Sequence, residues 1–566
     1  MAEQQDVDVV IVGAGFAGMY MLHKVRSMGL SAQVFEAGDG VGGTWYWNRY
    51  PGARCDVESM EYSYQFSEDL QQQWHWTERF AAQPEILKYA NHVADRFDLR
   101  RDIRFNTRVD AAHFDEQAGC WRVRVKPVSN PAGDANVQQP QTEVVRNDVL
   151  EVNGRYLVMA TGCLSSANLP HFEGLEQFEG ECYHTGQWPH EPVDFTGKRV
   201  GVIGTGSSAI QSIPVIARQA QHLTVFQRTA TYSVPAHNGP LDPAVEASIK
   251  AEYPAFRARN SQMAKAFGSV LPPNTASIFS VDPAQQRAAL EERWAYGGIT
   301  LMGAFADLYT DDAANKVAAD FVREKIRAVV KDPQTAEKLC PKHQIGGKRL
   351  CVDIGYFETY NRSNVELVDV RENPIERFTT TGLICGGVEH QLDAVVCATG
   401  FDAMTGTLEK IDIVGRDGLS LRDAWYAGPR TYLGLGIVGF PNLFTVSGPG
   451  SPSVLTNMLV SIEQHVNWIA ECIDYMRQHG HRQIEATQAA QDAWVDHVNA
   501  VAAPTIYMRT NSWYLGANIP GKTRVFMPLI GFPDYVRKCE QVRAAGYEGF
   551  VFDQASQSLP ARVVNG

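Results

Sequence analysis

Two short glycine-rich segments carry the first chemistry legible in this chain of 566 residues. Gly13-Ala-Gly15-Phe-Ala-Gly18 follows the apolar run Val7-Asp-Val-Val-Ile-Val12 and opens a helix-period segment ending near Gly29. A second apolar run, Ala32 to Phe35, then ends in Glu36. Strand, turn, helix, strand and acid in that order form a dinucleotide fingerprint. Glycines permit a tight turn and close pyrophosphate approach, the helix N-terminus faces phosphate charge, and the carboxylate takes a ribose hydroxyl pair. The order returns at Arg199-Val-Gly-Val-Ile203, Gly204-Thr-Gly206-Ser-Ser-Ala209, a helix to about Gln219 and a strand from Leu223 to Phe226. Glu36 stands 23 positions after Gly13, and the same offset from Gly204 falls on Gln227, followed by Arg228-Thr229. A carboxylate would repel a 2′-phosphate, whereas Arg228 offers it a planar fork of donors, so the second site is expected to prefer NADPH. The alternative for Arg228 is a solvated surface charge.

Between the turns lies Phe178-Glu-Gly180-Glu-Cys-Tyr-His184-Thr-Gly-Gln-Trp188-Pro189, which reads F-x-G-x-x-x-H-x-x-x-W-P throughout. Taken singly, Phe178 and Trp188 suit a core and His184 a satisfied hydrogen-bonding position. As a set in this position they resemble the fingerprint of the type I Baeyer–Villiger monooxygenases, which are class B flavoprotein monooxygenases. Gly42-Gly43-Thr44-Trp45-Tyr-Trp47-Asn-Arg-Tyr50-Pro51-Gly52-Ala-Arg-Cys-Asp56 resembles the family's second signature, and Gly347-Lys348-Arg349-Leu350 resembles its Lys-Arg element before a strand. The resemblance runs from Val7 to about Phe552. It is nearest to the phenylacetone and steroid monooxygenase subgroup, through Gly448-Pro-Gly-Ser451-Pro452-Ser453 and Asn457-Met458 in the expected substrate loop.

The resemblance implies NADPH- and O2-dependent oxidation of aromatic, cyclic or extended apolar ketones to esters or lactones through a flavin C4a-peroxide, with sulfoxidation as a side reaction. It makes Arg349 the active-site guanidinium and Asp56 its orienting partner. An anionic peroxide and an anionic tetrahedral adduct both need a fixed cation, and arginine supplies one without titrating. Read without the family, Asp56 is a turn-capping carboxylate. FAD is expected at Gly13, Gly15, Gly18 and Glu36, with Thr44, Trp45, Asp56, Tyr62, Val109 and Met458 around it. NADPH is expected at Gly204, Thr205, Gly206, Ser207, Ser208 and Gln211. Beyond that turn it is expected at Arg228, Thr229, Lys348, Arg349 and Trp513, with Lys348 on the 2′-phosphate and Trp513 near the nicotinamide. Trp513 is equally readable as a core aromatic. No metal is implied.

The elements that must position these residues are α/β: two Rossmann-like dinucleotide-binding domains, for FAD and for NADPH, with an inserted helical subdomain. The expected FAD domain comprises 1–148 and 393–552, and the NADPH domain 149–240 and 339–392. An Ala-, Glu-, Arg- and Lys-dense helical insertion covers 241–338, and a small polar tail without fixed structure covers 553–566. The polar stretch 127–147 reads as a long hairpin loop. Tyr156-Leu-Val-Met-Ala160-Thr161-Gly162 and Ala394-Val-Val-Cys-Ala398-Thr399-Gly400 are apolar strands running into Ala-Thr-Gly and mark where the chain crosses between domains.

With 44% hydrophobic and 20% charged residues the chain is of ordinary globular type. Its 51 basic and 64 acidic residues leave a net charge of −13 without a Lys/Arg block, so no nucleic-acid partner is expected. No apolar run reaches the roughly 18 residues that cross a bilayer, and Met1-Ala-Glu-Gln-Gln-Asp lacks a basic leader. A cytoplasmic enzyme with a ketone and O2 as partners, and no membrane or obligate protein partner, is expected. The ten cysteines form no C-x-x-C pair, which disfavours zinc and a disulfide framework. It also disfavours flavin disulfide reductases, whose dithiol would follow the first turn, where only Cys55 lies. Competing readings are a flavin N- or S-oxygenating enzyme, an NADPH oxidase releasing hydrogen peroxide, and a non-enzymatic nucleotide-sensing flavoprotein.

Overall fold

A computed structural model describes residues 5–128, 150–521 and 530–554. Strand β1 (Gln5–Val12) carries Val9, Val10 and Ile11 with no solvent exposure. Both its faces are covered, so it reads as a continuous apolar run rather than an alternating one. It leads through the first glycine turn into helix Phe16–Ser27 and back along β2 (Ala32–Phe35), parallel to β1. β3 (Ile103–Arg104), β4 (Thr107–Asp115), β5 (Cys120–Pro127) and β6 (Leu150–Met159) extend this sheet. The hairpin loop expected over 127–147 lies, from 129 on, outside the described residues; the strands that flank it, β5 and β6, pair antiparallel.

The second sheet begins with β7 (Glu181–His184) and β8 (Arg199–Ile203), followed by helix Ser207–Gln219 and β9 (His222–Gln227). β10 (Ser233–Pro235) precedes a run of helices at Pro243–Ala251, Tyr253–Ser261, Pro283–Tyr296, Asp312–Val329 and Pro333–Leu339. β11 (Cys351–Asp353) then returns to pair with β10, so the helical stretch leaves and rejoins the fold at one place. β12 (Val365–Asp369) adds to β9, and β13 (Ile375–Thr379), β14 (Gly382–Cys385) and β15 (Val388–Gln391) form an antiparallel meander. β16 (Ala394–Cys397) enters the second sheet, whereas β17 (Asp412–Val414) and β18 (Leu443–Thr445) belong to the first. The first sheet runs β17-β4-β5-β6-β1-β2-β3 with β18 on β6, and the second β12-β9-β8-β16-β7. β19 (His481–Ala486) and β20 (Phe550–Gln554) form a separate antiparallel pair. No described helix is long and apolar enough to cross a membrane.

This pairing corrects the domain bounds expected at 148/149 and 392/393. β6 is hydrogen-bonded to β1 from Gln5↔Val152 to Val12↔Met159, so the first sheet keeps the chain up to 159. β16 lies between β8 and β7, so the second sheet keeps it up to 397. The chain therefore crosses just after each apolar strand, at the two Ala-Thr-Gly segments. The tail expected from 553 also begins later, because β20 extends to Gln554; residues 555–566 lie outside the described part.

The two crossings are packed alike. Gly13, at φ +101°, leaves no room for a side chain, since a Cβ there would lie 2.7 Å from the Ala160 carbonyl oxygen. Gly204, at φ +114°, would place one 2.5 Å from the Ala398 oxygen. Each glycine turn thus rests on the first residue of an Ala-Thr-Gly segment.

Candidate active site

In the first turn, a Cβ on Gly18 would fall 1.8 Å from the Gly13 oxygen, so only glycine lets helix Phe16–Ser27 approach its strand this closely. Gly15 caps that helix without a side-chain hydrogen bond and lies against Gly43, 3.3 Å from where its own Cβ would be. The Glu36 carboxylate accepts from the Ala14 and Gly38 amides at 2.7 and 2.8 Å, which orients it before any ligand arrives. Burial pushes its pKa up against those bonds. Exposed Thr44 opens the short helix Thr44–Trp47, whose Trp45 indole donates to the Tyr62 hydroxyl at 3.1 Å. Val109 is placed apart from these, buried in the cluster that holds Val12 and Phe35 at the ends of β1 and β2. Met458 begins the long helix Met458–His479, capped by Asn457 through the Leu459 amide at 3.2 Å.

The second turn is open where a ligand would lie. No protein atom comes within 4 Å of a Cβ placed on Gly206, and helix Ser207–Gln219 has no side-chain cap. Thr205 donates to the Thr229 carbonyl at 2.6 Å, and Ser208 accepts from the Thr185 hydroxyl at 3.3 Å. Ser207 Oγ lies 3.1 Å from Cys351 Sγ, whose thiol donates to the Arg349 carbonyl at 3.5 Å. Gln211 has its amide engaged elsewhere: it accepts from the Tyr50 hydroxyl at 2.8 Å and donates to the Arg54 carbonyl at 3.0 Å. It thereby ties the segment that ends in Asp56 to the second domain. Gln227 is buried and donates to the Lys338 carbonyl at 2.7 Å. Arg228 is exposed and Lys348 half-buried, and neither forms an ion pair among the described residues. Burial, then the neighbouring Arg228, pull the Lys348 pKa down.

Asp56 and Arg349, distant in sequence, meet where the two domains join. Arg349 donates to Asp56 Oδ2 through Nε at 2.9 Å and Nη2 at 2.7 Å, and through Nη1 to the Val454 carbonyl at 3.0 Å. The side chains are 23% and 26% exposed for Arg349 and Asp56, so the pair is held but reachable. Burial opposes the charge on Arg349, yet Asp56 and then Tyr514 outweigh it and raise its pKa. An apolar cluster of Cys163, Ala403, Met404, Ile506, Tyr507 and Tyr514 adjoins it, with Met458 and Trp513 packed on its edge. The Trp513 ring stands 4.2 Å from that of Tyr514. Backbone in the left-handed region at Met404 (φ +67°), Ser447 (φ +57°) and Ser453 (φ +47°) shapes the loops here, and the Ser453 hydroxyl donates to the Ser447 carbonyl at 3.2 Å. Sequence reasoning missed Tyr514 and Val454. Tyr514 adjoined a residue already singled out, but a backbone carbonyl leaves no signature in sequence.

The fingerprint segment lies on the second sheet. His184 Nδ1 accepts from the Gly186 amide at 3.0 Å, which assigns the proton to Nε2, 3.2 Å from Thr399 Oγ1. Thr399 in turn donates to the Asn168 carbonyl at 2.7 Å. Burial lowers the His184 pKa to about 4, so it is neutral. Phe178 and Trp188 are buried, and a Cβ on Gly180 would meet the Asp393 oxygen at 2.6 Å. These contacts fasten β7 to β16 and to the second crossing. Pro189 follows Trp188 into the loop before β8.

Two Rossmann-like domains, each with its own glycine turn, joined over a fixed guanidinium, describe a two-dinucleotide flavoprotein. A family model described as "Flavin-binding monooxygenase-like" matches residues 6–238. A Baeyer–Villiger monooxygenase of Pseudooceanicola batsensis is 42% identical, covering 98% of each chain. A phenazine N-monooxygenase of Lysobacter antibioticus is 40% identical, again covering 98% of each. The structure of an oxidized steroid monooxygenase bound to NADP is 51% identical and superimposes with a TM-score of 0.89, covering 97% of this chain and 100% of that one. The chain belongs to the Baeyer–Villiger monooxygenase family.

Proposed function

We propose that the protein is an FAD-containing, NADPH- and O2-dependent monooxygenase that converts ketones to esters or lactones. The observation that carries this reading is the Arg349–Asp56 pair, whose guanidinium is held by three hydrogen bonds yet still partly exposed beside an apolar cluster. The residues fit both cofactors. The first turn, with Glu36 held by two amides, would hold the FAD diphosphate and ribose. The space over Gly206 would take the NADPH pyrophosphate, and Arg228 and Lys348, cations without carboxylate partners among the described residues, its 2′-phosphate. Bound there, FAD and NADPH supply hydride transfer and the activation of O2.

The chain's own contribution is electrostatic and steric. Oxygen insertion beside a ketone carbonyl develops negative charge on the carbonyl oxygen, and Arg349 offers fixed N–H donors to it with no proton to lose. Asp56 occupies Nε and one edge of the guanidinium, which limits its rotation and leaves donors over for substrate. Met404, Tyr507, Tyr514 and Leu455 give an apolar wall that suits aromatic, cyclic or extended ketones and keeps water away.

N-oxygenation is a second reading, favoured by the 40% identity to a phenazine N-monooxygenase. Incubating the FAD-loaded protein with NADPH, air and either an aryl-alkyl or cyclic ketone or a phenazine separates the two. Ester or lactone from the ketone supports the proposal; hydrogen peroxide alone, or N-oxide with untouched ketone, overturns it.

A further inference from the structure

Beside Thr229 lies a cavity of about 250 Å³ lined by Thr229, Ala230, Cys340, Lys342, His343 and Arg371. Two of its lining residues, Lys342 and Arg371, carry fixed positive charge, and Lys348 and Arg323 act on His343 from beside it. Arg371 is paired with Asp369 at 2.8 Å, and Arg323, on helix Asp312–Val329, with Asp320 at 2.7 Å. Lys342, Lys348 and Arg228 have no such partner among the described residues, and there neither ring nitrogen of His343 has a hydrogen bond. The histidine is nevertheless held in place. Its carbonyl accepts from the Tyr232 hydroxyl at 2.9 Å, and its ring meets the Tyr232 ring edge-on at 5.3 Å. An imidazole fixed in a cavity without a partner, among cations, is arranged for an anion that arrives from outside.

We infer that His343 is a proton-coupled ligand of the coenzyme's 2′-phosphate, completing the site formed by Arg228 and Lys348. This rests on the assignment of that phosphate in the preceding subsection. Without the anion, burial and then Lys348 and Arg323 pull the His343 pKa down to about 4, so the ring is neutral at pH 7. The groups facing it are Lys342 and Cys340 on its own segment, Lys348 beyond it, Arg323 and Tyr232 across it, and Thr229 and Arg371 from the two strand ends, with Arg228 acting in turn on Lys348. Asp320 and Asp369 are already committed to Arg323 and Arg371. A phosphate monoester brings a charge of about −1.5 to −2 into this setting, which reverses the local balance and favours imidazolium. Binding then takes one proton from solvent onto His343, and NADH, lacking the phosphate, takes none.

The test is calorimetric titration of the FAD-loaded protein with NADP+ and with NAD+ at pH 7.5, in two buffers of different ionisation enthalpy. That pH lies above the phosphate's second ionisation, near pH ~6, so phosphate titration contributes little. Wild type should take up a proton fraction with NADP+ alone, and its NADP+ affinity should fall by up to roughly tenfold per pH unit between the free histidine's pKa of about 4 and the higher pKa it takes in the complex, levelling off above that. His343→Gln should abolish the uptake, flatten the pH dependence and weaken NADP+ against NAD+ by roughly tenfold. Absence of uptake in wild type, or undiminished uptake in His343→Gln, overturns the inference. Lys348→Ala separates the two levels: if it leaves the NADP+/NAD+ ratio unchanged, the phosphate assignment itself is wrong. If it lowers that ratio while His343→Gln does nothing, only the histidine's role fails.

Discussion

Replacing Arg349 with alanine should abolish ester formation while the protein stays yellow with FAD. Loss of one fixed donor to developing negative charge typically costs 10² to 10³ in rate, about 2.7 to 4 kcal/mol. The geometry makes Arg349→Ala worse than that, because Asp56 would remain, about a quarter exposed and unneutralised, beside the same developing charge. At ~4 Å and an effective dielectric of ~20 a like charge is worth about 4 kcal/mol before solvent screening reduces it. Asp56→Ala is milder. It removes the partner of Nε and Nη2 but leaves the Val454 hydrogen bond at 3.0 Å, so the cation is loosened rather than lost, at a cost of about tenfold. The double variant should then be no slower than Arg349→Ala and is expected to be faster, since the residual carboxylate is gone. The assay is ester production by gas chromatography at saturating NADPH, with flavin content measured on each protein. Near-parental ester from Arg349→Ala would remove it from the mechanism. A double variant slower than Arg349→Ala by the full Asp56→Ala factor would show that Asp56 acts independently of Arg349.

The glycine turns should respond differently. Gly18→Ala, whose Cβ would lie 1.8 Å from the Gly13 oxygen, should cost FAD retention and folding, whereas the Cβ of Gly206→Val would have no protein atom within 4 Å. The latter should give stable yellow protein that NADPH reduces poorly, as thermal melting and flavin bleaching would show. Arg228→Ala and Lys348→Ala should each weaken NADPH by roughly tenfold to a hundredfold, the value of a charge-assisted contact, with little effect on NADH; equal losses for both coenzymes would contradict the phosphate assignment. His184 has its folded pKa lowered to about 4, below its ordinary value of 6.5, so its stabilising effect is complete above pH 6.5 and is lost as pH falls from 6.5 towards 4. His184→Gln should lower the melting temperature at pH 7.5 and flatten its decline over that window, with His465, also held neutral by burial, leaving a residual slope. An unchanged slope would show that His184 titrates normally.

Local structure was legible where apolar runs are bounded by glycine. β2 runs from Ala32 to Phe35 and the helix after the second glycine turn ends at Gln219, as the spacing indicates, because turn chemistry and burial act there within a few residues. The domain bounds were not legible. Nothing in the composition of Leu150–Met159 says which sheet it joins; that choice is made by β1, far away in sequence. The Asp56–Arg349 pair spans 293 positions, so spacing offers no route to it and only the family resemblance proposed it. Gln211 and His184 show the opposite limit. Their motifs point to chemistry, but their polar atoms are engaged with Tyr50, Arg54, Gly186 and Thr399, and their visible work is holding domains and strands together.

The most direct measurement is oxygen-18 labelling. The FAD-loaded protein is given NADPH, a cyclic or aryl-alkyl ketone and ¹⁸O2, and the organic product is analysed by mass spectrometry. An ester or lactone carrying one oxygen-18 atom beside the former carbonyl, formed by wild type and lost in Arg349→Ala, is the predicted result. Labelled hydrogen peroxide with the ketone recovered unchanged would contradict the account.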